Sequence, residues 1–202
     1  MKRLCLVVLC VGVMLCAANA TDIYNNLTST NNGTDPVGSF GPLADSFSTG
    51  AGGFLVNSVT LLLSGDNTSA ATFSVYLRND TGGAGYGILL DSFGTVSDTS
   101  LTAGLQPLTL TLASPYSLAP NTRYWIQVTG ASSSAGWGWS LDQAALGVAG
   151  EYYENTNGVF PNTDGPYQMQ VSGSAVPEPG SLLLLGSGLL GAVATLRRKL
   201  SF

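Results

Sequence analysis

Residues 108–112 read Leu-Thr-Leu-Thr-Leu, an unbroken alternation of apolar and polar side chains. Because successive side chains of a β-strand point to opposite faces, this stretch places its three leucines on one face. Residues 167–171, Tyr-Gln-Met-Gln-Val, alternate in the same way. Strands with one apolar and one polar face are typical of antiparallel sheets that pack on one side and meet water on the other. The alternation therefore predicts an all-β, antiparallel fold.

The rest of the central region also has the sequence pattern of short strands joined by turns. Apolar and β-branched residues predict further strands, and clusters of Gly, Asn, Asp and Pro predict the turns between them. No segment before Gly180 has a helical period of useful length. This pattern indicates a β-sandwich with jelly-roll-like connections, one domain over residues 21–175, with 172–176 as a polar linker at its end. The further predicted strands are 54–63, 72–77 and 124–128, and the predicted turns are 64–67, 79–83, 119–121 and 161–165.

The middle of the chain is poor in reactive side chains. The 202 residues include no His, and all three Cys and both Lys lie within the first 16 or last 4 residues. Residues 21–176 carry eleven acidic residues against two arginines, a net charge of −9. Most nucleophilic, general-base and transition-metal chemistry needs the missing residue types, and two cations cannot neutralise a phosphate backbone. We therefore expect no enzymatic activity, no cofactor, no metal and no nucleic-acid partner.

The N-terminus has the pattern of an export signal. Lys2 and Arg3 precede an apolar run over residues 4–16, and Ala18-Asn19-Ala20 has the small-x-small pattern that signal peptidase accepts. The thirteen apolar residues are fewer than the roughly 17–25 that a membrane span needs. We predict a signal peptide over residues 1–20, export by the Sec machinery and cleavage after Ala20. All three cysteines would leave with it, so the exported protein would form no disulfide.

The C-terminus has the pattern of a membrane anchor. Residues 181–196 carry no charge and are followed at once by Arg197-Arg198-Lys199. Together with Gly180 this stretch just reaches the lower limit of about 17 residues for a spanning helix. Basic residues beside a span remain on the cytoplasmic side, so the cluster predicts a stop-transfer signal. The alternative, a buried core helix, is disfavoured because leucines occupy every helical face.

Val176-Pro177-Glu178-Pro179 stands immediately before this stretch. Two prolines around one residue exclude both helix and sheet pairing, which leaves Glu178 available to a membrane protease. The order of Pro-Glu-Pro, short apolar helix and arginine-rich end resembles the PEP-CTERM sorting signal of Gram-negative bacteria. The resemblance covers residue 176 to about residue 200, and we assign the sorting signal to residues 176–202. It implies transient anchoring in the inner membrane, recognition by the membrane peptidase exosortase, and release to the cell surface or to an extracellular biofilm matrix.

A second resemblance concerns the domain ahead of this signal. Four segments look like the choice-of-anchor R type of exported bacterial domain, and the likeness spans roughly residues 24–171. It implies the β-sandwich topology and the extracellular location, and it brings no known activity and no catalytic residues. The segments are Gly41-Pro42-Leu43-Ala44-Asp45-Ser46-Phe47, Asn121-Thr122-Arg123-Tyr124-Trp125-Ile126, Gly136-Trp137-Gly138-Trp139-Ser140 and Asn162-Thr163-Asp164-Gly165-Pro166-Tyr167-Gln168-Met169.

Trp137 and Trp139 are the best candidates for binding. In a strand, residues two apart project from one face, so the two indoles, with Tyr152 or Tyr153 nearby, would form a platform for a sugar ring. The alternative is that both indoles belong to the core, which the flanking glycines explain equally well. Carbohydrate binding, with extracellular polysaccharide as the partner, is thus the alternative to a purely structural surface or matrix protein.

Carboxylates provide two weaker candidates. Glycoside hydrolysis needs two carboxyl groups about 5–10 Å apart, but Glu151 and Glu154 lie three residues apart and alternate to opposite faces of a strand. Asp66 and Asp80 lie in turns where oxygen ligands bind calcium in other proteins, yet no stretch has the regular ligand spacing of a calcium loop. We interpret Asp66 and Asp80 as turn formers. For Arg123 we expect a carboxylate partner at a sheet edge.

Overall fold

The computed structural model describes residues 21–66, 68–82, 85–142, 150–176, 186 and 188–189. Twelve strands, one short helix and two single 3-10 turns follow one another in the described part of residues 21–176. Their bounds are β1 Thr21–Asn25, β2 Gly33–Pro36, α1 Val37–Phe40, β3 Leu43–Ser48, β4 Phe54–Ser64, β5 Thr72–Asp80, β6 Tyr86–Ser97, a 3-10 turn Asp98–Ser100, β7 Gln106–Leu118, β8 Arg123–Thr129, β9 Gly136–Trp139, β10 Tyr152–Asn155, β11 Gly158–Pro161, a 3-10 turn Asn162–Asp164 and β12 Met169–Ala175.

The strands form two six-stranded sheets in which every pair is antiparallel. Sheet I has the order β1-β12-β4-β9-β2, with β7 also paired to β4. Sheet II has the order β11-β10-β3-β8-β5-β6. Neighbours in space are often distant in sequence, so the chain crosses repeatedly between the sheets. The predicted all-β, antiparallel class is confirmed.

One hydrophobic core lies between the sheets. Sheet I contributes Val59 and Leu61 from β4, and sheet II contributes Val75 and Leu77 from β5, all with no exposed surface. The two residues of each pair are two positions apart in sequence, as the alternation of strand side chains requires. The alternation in residues 108–112 has the same origin, because Leu112 is buried in this core and the other two leucines of the stretch pack against it.

The predicted linker over residues 172–176 is wrong. Residues Met169–Ala175 form β12, which pairs with β1 on one side and β4 on the other and is therefore internal to sheet I. The small residues Ser172, Gly173 and Ser174 suggested a linker, but Ser172 and Gly173 are paired with both β1 and β4, and Ser174 is paired with β4. Packing requires a glycine at residue 173, because a side-chain carbon there would lie 2.0 Å from the Leu55 carbonyl oxygen.

The β5–β6 hairpin crosses the outer face of sheet II. Three irregularities in the pairing of the two strands bend the hairpin. Its end reaches β10, three strands away, where the Tyr86 backbone N–H donates to a Glu154 carboxylate oxygen at 3.3 Å. Trp125 of β8 lies on this outer face and is fully buried, with its indole N–H donating to Asp80 at 2.8 Å. The outer face of sheet II is thus partly covered rather than open to water.

Candidate functional site

Sheet pairing in sheet I continues to the residue before the Pro-Glu-Pro triplet. Ala175, the last residue of β12, pairs with Phe54, and the Val176 N–H donates to the Gly53 carbonyl at 2.9 Å. Pro177 has no N–H and cannot continue the ladder. The sorting segment therefore follows an internal strand without an intervening linker.

The predicted cleavage point of the signal peptide adjoins the same place. Thr21, the residue after Ala20, begins β1 and pairs with Gly173 of β12. Asp22 strengthens this pairing, because it accepts hydrogen bonds from Gln170 at 2.7 Å and from Ser172 at 2.8 Å. The Gln170 bond, followed by the Ser172 bond, lowers the pKa of the Asp22 carboxyl from its usual value.

The remaining targeting residues lie outside the described residues. These are the cleavage-site residues Ala18 and Ala20, the triplet Pro177, Glu178 and Pro179, and the basic cluster Arg197, Arg198 and Lys199. Of the predicted span over 181–196, only 186, 188 and 189 are described. Within the described ranges there is no helix of sufficient length and apolarity to cross a bilayer.

Trp137 belongs to the core and does not form part of a sugar platform. Its side chain has no exposed surface, and its ring stacks on Tyr167 with centroids 4.7 Å apart. Its indole N–H donates to the Gln168 carbonyl at 2.9 Å. The spacing correctly predicted that Trp137 and Trp139 share a face. That face is the inner one, because β9 pairs with β4 and turns its tryptophans toward sheet II.

The neighbours proposed for the platform are divided between the two faces of sheet II. Tyr153 points inward, where it stacks on Phe160 and meets the edge of Tyr167. Tyr152 points outward, beneath the Arg123 guanidinium at 4.7 Å. Trp139 is half-buried, packs against the core and covers Gly33, where a side-chain carbon would lie 2.6 Å from the indole. The predicted platform of the two indoles with Tyr152 or Tyr153 is therefore not assembled.

The two glutamates have separate structural partners. Glu151 is buried and accepts hydrogen bonds from Ser46 at 2.9 Å and from Arg123 at 3.2 Å. Glu154 accepts the Tyr86 N–H described above, and burial raises the pKa of its carboxyl. Each carboxylate contributes to the packing of sheet II.

Asp66 and Asp80 serve the backbone and a neighbouring side chain. Asp66 accepts the N–H groups of Thr68 and Ser69, each at 3.0 Å, which confirms its interpretation as a turn former. Asp80 accepts the Gly82 N–H at 2.9 Å in addition to the Trp125 indole. In the part of the chain that the structure describes, no three His, Cys, Asp or Glu residues come together as metal ligands.

Both arginines of residues 21–176 lie on the outer face of sheet II, a grouping that the sequence did not reveal. Arg123 pairs with Glu151 and lies 3.8 Å from Asp80, which confirms the expected carboxylate partner, but the expected sheet edge is wrong because β8 is internal to sheet II. Arg78 donates to Gln127 and lies over the Tyr86 ring at 5.1 Å. Cation–π contacts of this kind contribute about 0.5–1 kcal/mol when exposed. We call Arg78, Tyr86, Arg123, Trp125 and Tyr152 the outer cluster.

A shallow cleft opens beside the outer cluster. Its volume is about 520 Å³, and Asp80 and Arg123 are its charged lining residues. Both charges are already paired within the protein, as described above. The lining also includes Asn79, Leu90, Tyr116, Asn121 and Thr122.

A buried polar cluster near β3 was also missed. Asp45 has no exposed surface, and one of its carboxylate oxygens accepts a hydrogen bond from the Asn162 amide at 3.0 Å. The same amide contacts the Tyr24 hydroxyl at 3.3 Å. The second oxygen of Asp45 and the amide oxygen of Asn162 have no hydrogen-bond partner. Burial raises the pKa of the Asp45 carboxyl well above its usual value.

Comparison with known proteins bears on the C-terminal segment. The PEP-CTERM protein-sorting motif matches residues 175–199. This match supports a PEP-CTERM protein, which is exported, transiently anchored in the membrane and processed by exosortase before release. It begins at Ala175, the final residue of β12. A search of the curated proteins finds no significant match.

Proposed function

We propose that the protein is a non-enzymatic component of the cell surface or extracellular matrix of a Gram-negative bacterium, released there by exosortase cleavage at the Pro-Glu-Pro triplet. The sorting motif at residues 175–199 is the observation that carries this proposal. The absence of His, Cys and Lys from residues 21–176 supports a role without catalysis. The Sec machinery, signal peptidase and exosortase are its partners during export.

The finer details of the proposed domain have separate support. Eight strands, β1, β3–β8 and β12, have the orders β1-β12-β4-β7 and β3-β8-β5-β6, the connectivity of a jelly-roll sandwich. We assign this domain to residues 21–175 and propose that it is of the choice-of-anchor R type. Residues from the segments that carry this resemblance contact one another in the interior. Asp45 accepts a hydrogen bond from Asn162, and Trp137 stacks on Tyr167.

Substitution Glu178→Ala tests the processing step. We expect the variant to remain in the membrane fraction with residues 197–202 intact, because the triplet that the peptidase recognises is broken. The wild-type protein, in contrast, appears in the medium with a mass that ends near Val176. Intact-mass measurement of both fractions distinguishes the two results.

The matched control is Glu154→Ala, which removes a glutamate elsewhere in the exported domain and leaves the triplet intact. It should be released as the wild type is. Recovery of the Glu178→Ala protein from the medium with the wild-type C-terminal mass would contradict the proposed processing, and so would a wild-type protein that retains its basic tail.

Carbohydrate binding is the second proposed function, and the outer cluster is the surface that favours it. Tyr86 and Tyr152 are half-buried aromatic rings at the protein surface, each beside a guanidinium group. Partly exposed aromatic rings with adjacent polar groups suit the apolar face and hydroxyls of a sugar. Trp137 has no such exposure, so an aromatic platform would lie on the outer face of sheet II.

Tyr152→Ala tests this second function. We expect a several-fold loss of retention on extracellular polysaccharide extracted from the producing culture, measured by affinity electrophoresis, because a ring that would stack on the sugar is removed. Phe40→Ala is the control, since Phe40 is 38% exposed, lies in α1 and is not one of the outer-cluster residues. Equal retention of both variants and the wild type would contradict binding at this surface.

A further inference from the structure

Both processed ends of the domain leave it from one end of sheet I. Thr21 of β1 pairs with Gly173 of β12, so the two strands are adjacent and antiparallel. The start of β1 therefore lies beside the end of β12. Residue 21 follows the predicted signal-peptide cleavage point, and Val176 precedes the Pro-Glu-Pro triplet. A membrane segment at each terminus would thus emerge at neighbouring positions.

Two loops complete this end of the molecule. Gly53 accepts the Val176 N–H at 2.9 Å, and Gly50 accepts the Asn121 N–H at 2.8 Å. Ala51 lies between these two glycines and is exposed. We call the surface formed by Thr21, Gly50, Ala51, Asn121 and Val176 the exit face.

The chain between the exit face and the membrane is short. Residues 177–180 are the only four residues between Val176 and the apolar stretch that begins at Ser181. A fully extended chain covers at most about 3.3–3.6 Å per residue, so four residues span no more than about 14 Å. Because β12 is internal to sheet I, detaching it to lengthen this tether would break pairing with both β1 and β4.

We propose that the exit face lies against the membrane surface while the precursor is anchored, and that the folded domain is held there by the short tether alone. The inference rests on the proposed function, which supplies the membrane-anchored stage. The charges near the exit face do not favour binding to lipid headgroups, which leaves the tether to hold the domain at the membrane. Arg123 is already paired with Glu151 and Asp80, and Asp22 is exposed beside Thr21, so this surface is not attracted to anionic lipid.

Cysteine labelling in the anchored precursor tests this orientation. The native cysteines all lie in residues 1–16, so Ala51→Cys introduces one thiol on the exit face of the processed domain. Ala103→Cys places a thiol at the other end of sheet I. The neighbouring residue Thr102 accepts a hydrogen bond from the backbone N–H of Gly65, which directly follows the last residue of β4. Both positions are exposed alanines. Each substitution is combined with Glu178→Ala, which holds the precursor in the membrane.

Spheroplasts are treated with a large polyethylene-glycol maleimide, and the labelling rate of each thiol is measured by gel shift. We expect Ala51→Cys to react several-fold more slowly than Ala103→Cys, because the bilayer obstructs the reagent. A flexible Gly/Ser insertion after Val176 should remove the difference, as should release of the protein. These comparisons separate membrane obstruction from local differences in thiol reactivity.

Equal labelling of the two thiols in a membrane-bound precursor would overturn the orientation and leave the proposed function intact. A difference that persists after the Gly/Ser insertion would also overturn it, because the short tether would then not be the cause. A Glu178→Ala precursor that is never found in the membrane fraction would overturn the proposed function and this inference with it.

Discussion

Trp137→Ala is expected to lower the free energy of unfolding by about 3–5 kcal/mol, the range for removing a large buried aromatic side chain. The indole is fully buried, stacks on Tyr167 and donates a hydrogen bond to the Gln168 carbonyl. The substitution leaves a cavity and removes one of the two hydrogen bonds that the Gln168 carbonyl accepts, the other coming from the Leu62 N–H at 3.1 Å. Since typical domains are stable by only about 5–15 kcal/mol, the loss should be evident in urea unfolding followed by circular dichroism.

Ile88→Ala is the control for this measurement. Ile88 is 69% exposed on β6, so its truncation creates no cavity and should change stability by no more than about 0.5 kcal/mol. A Trp137→Ala protein as stable as the wild type would contradict the burial of the indole. Because the expected loss of stability is large, reduced sugar binding by the Trp137→Ala protein would be explained by unfolding. It would not show that Trp137 contacts the sugar.

Asp45→Asn is expected to raise the free energy of unfolding at pH 7 by about 1–3 kcal/mol, the penalty for an unsatisfied buried polar group. One carboxylate oxygen of Asp45 and the amide oxygen of Asn162 lack partners, while the opposite pair of atoms is hydrogen-bonded. The substitution replaces an unpaired carboxylate by an amide, which adds a donor in this buried cluster and removes the need to bury a charge.

The pH dependence of this effect has a definite sign. Burial raises the folded-state pKa of Asp45 above its usual value of 3.8, and the Glu151 charge acts in the same direction. The folded state therefore holds a proton that the unfolded state releases. The associated stability is complete below pH 3.8 and is lost as the pH rises toward the folded-state pKa. The advantage of Asp45→Asn over the wild type should accordingly shrink as the pH falls toward 4.

Urea unfolding of both proteins between pH 4 and pH 8 measures this difference. Tyr24, Glu151, Tyr153 and Tyr167 are further titratable groups coupled electrostatically to Asp45, and all four are present in each protein. Asp91→Asn is the control, because it makes the same charge change at a half-buried surface position and keeps an oxygen for the Ser92 N–H. An Asp45→Asn protein that is less stable than the wild type at pH 7 would show that the carboxylate is ionised and needed.

Local pattern predicted the strands that are rich in apolar and β-branched residues. Residues 72–77 lie within β5 and residues 124–128 within β8, as expected from their apolar and β-branched side chains. The strand β3 was missed because Asp45 and Ser46 interrupt its apolar residues, although both are fully buried. Their polar groups are bonded to Asn162 and Glu151, partners more than 100 residues away. A window of neighbouring residues contains no information on such partners.

The sequence by itself determined the strand character of the chain, the absence of most catalytic residue types from residues 21–176, and the order of triplet, apolar stretch and basic end. Each is a property of residue types and their spacing, so no folding is needed to establish it. Only the tertiary structure decided that Trp137 faces the core, that β12 replaces the expected linker and that Thr21 lies beside Gly173. Spacing shows which side chains share a face, whereas strand order decides which face is buried and which ends meet.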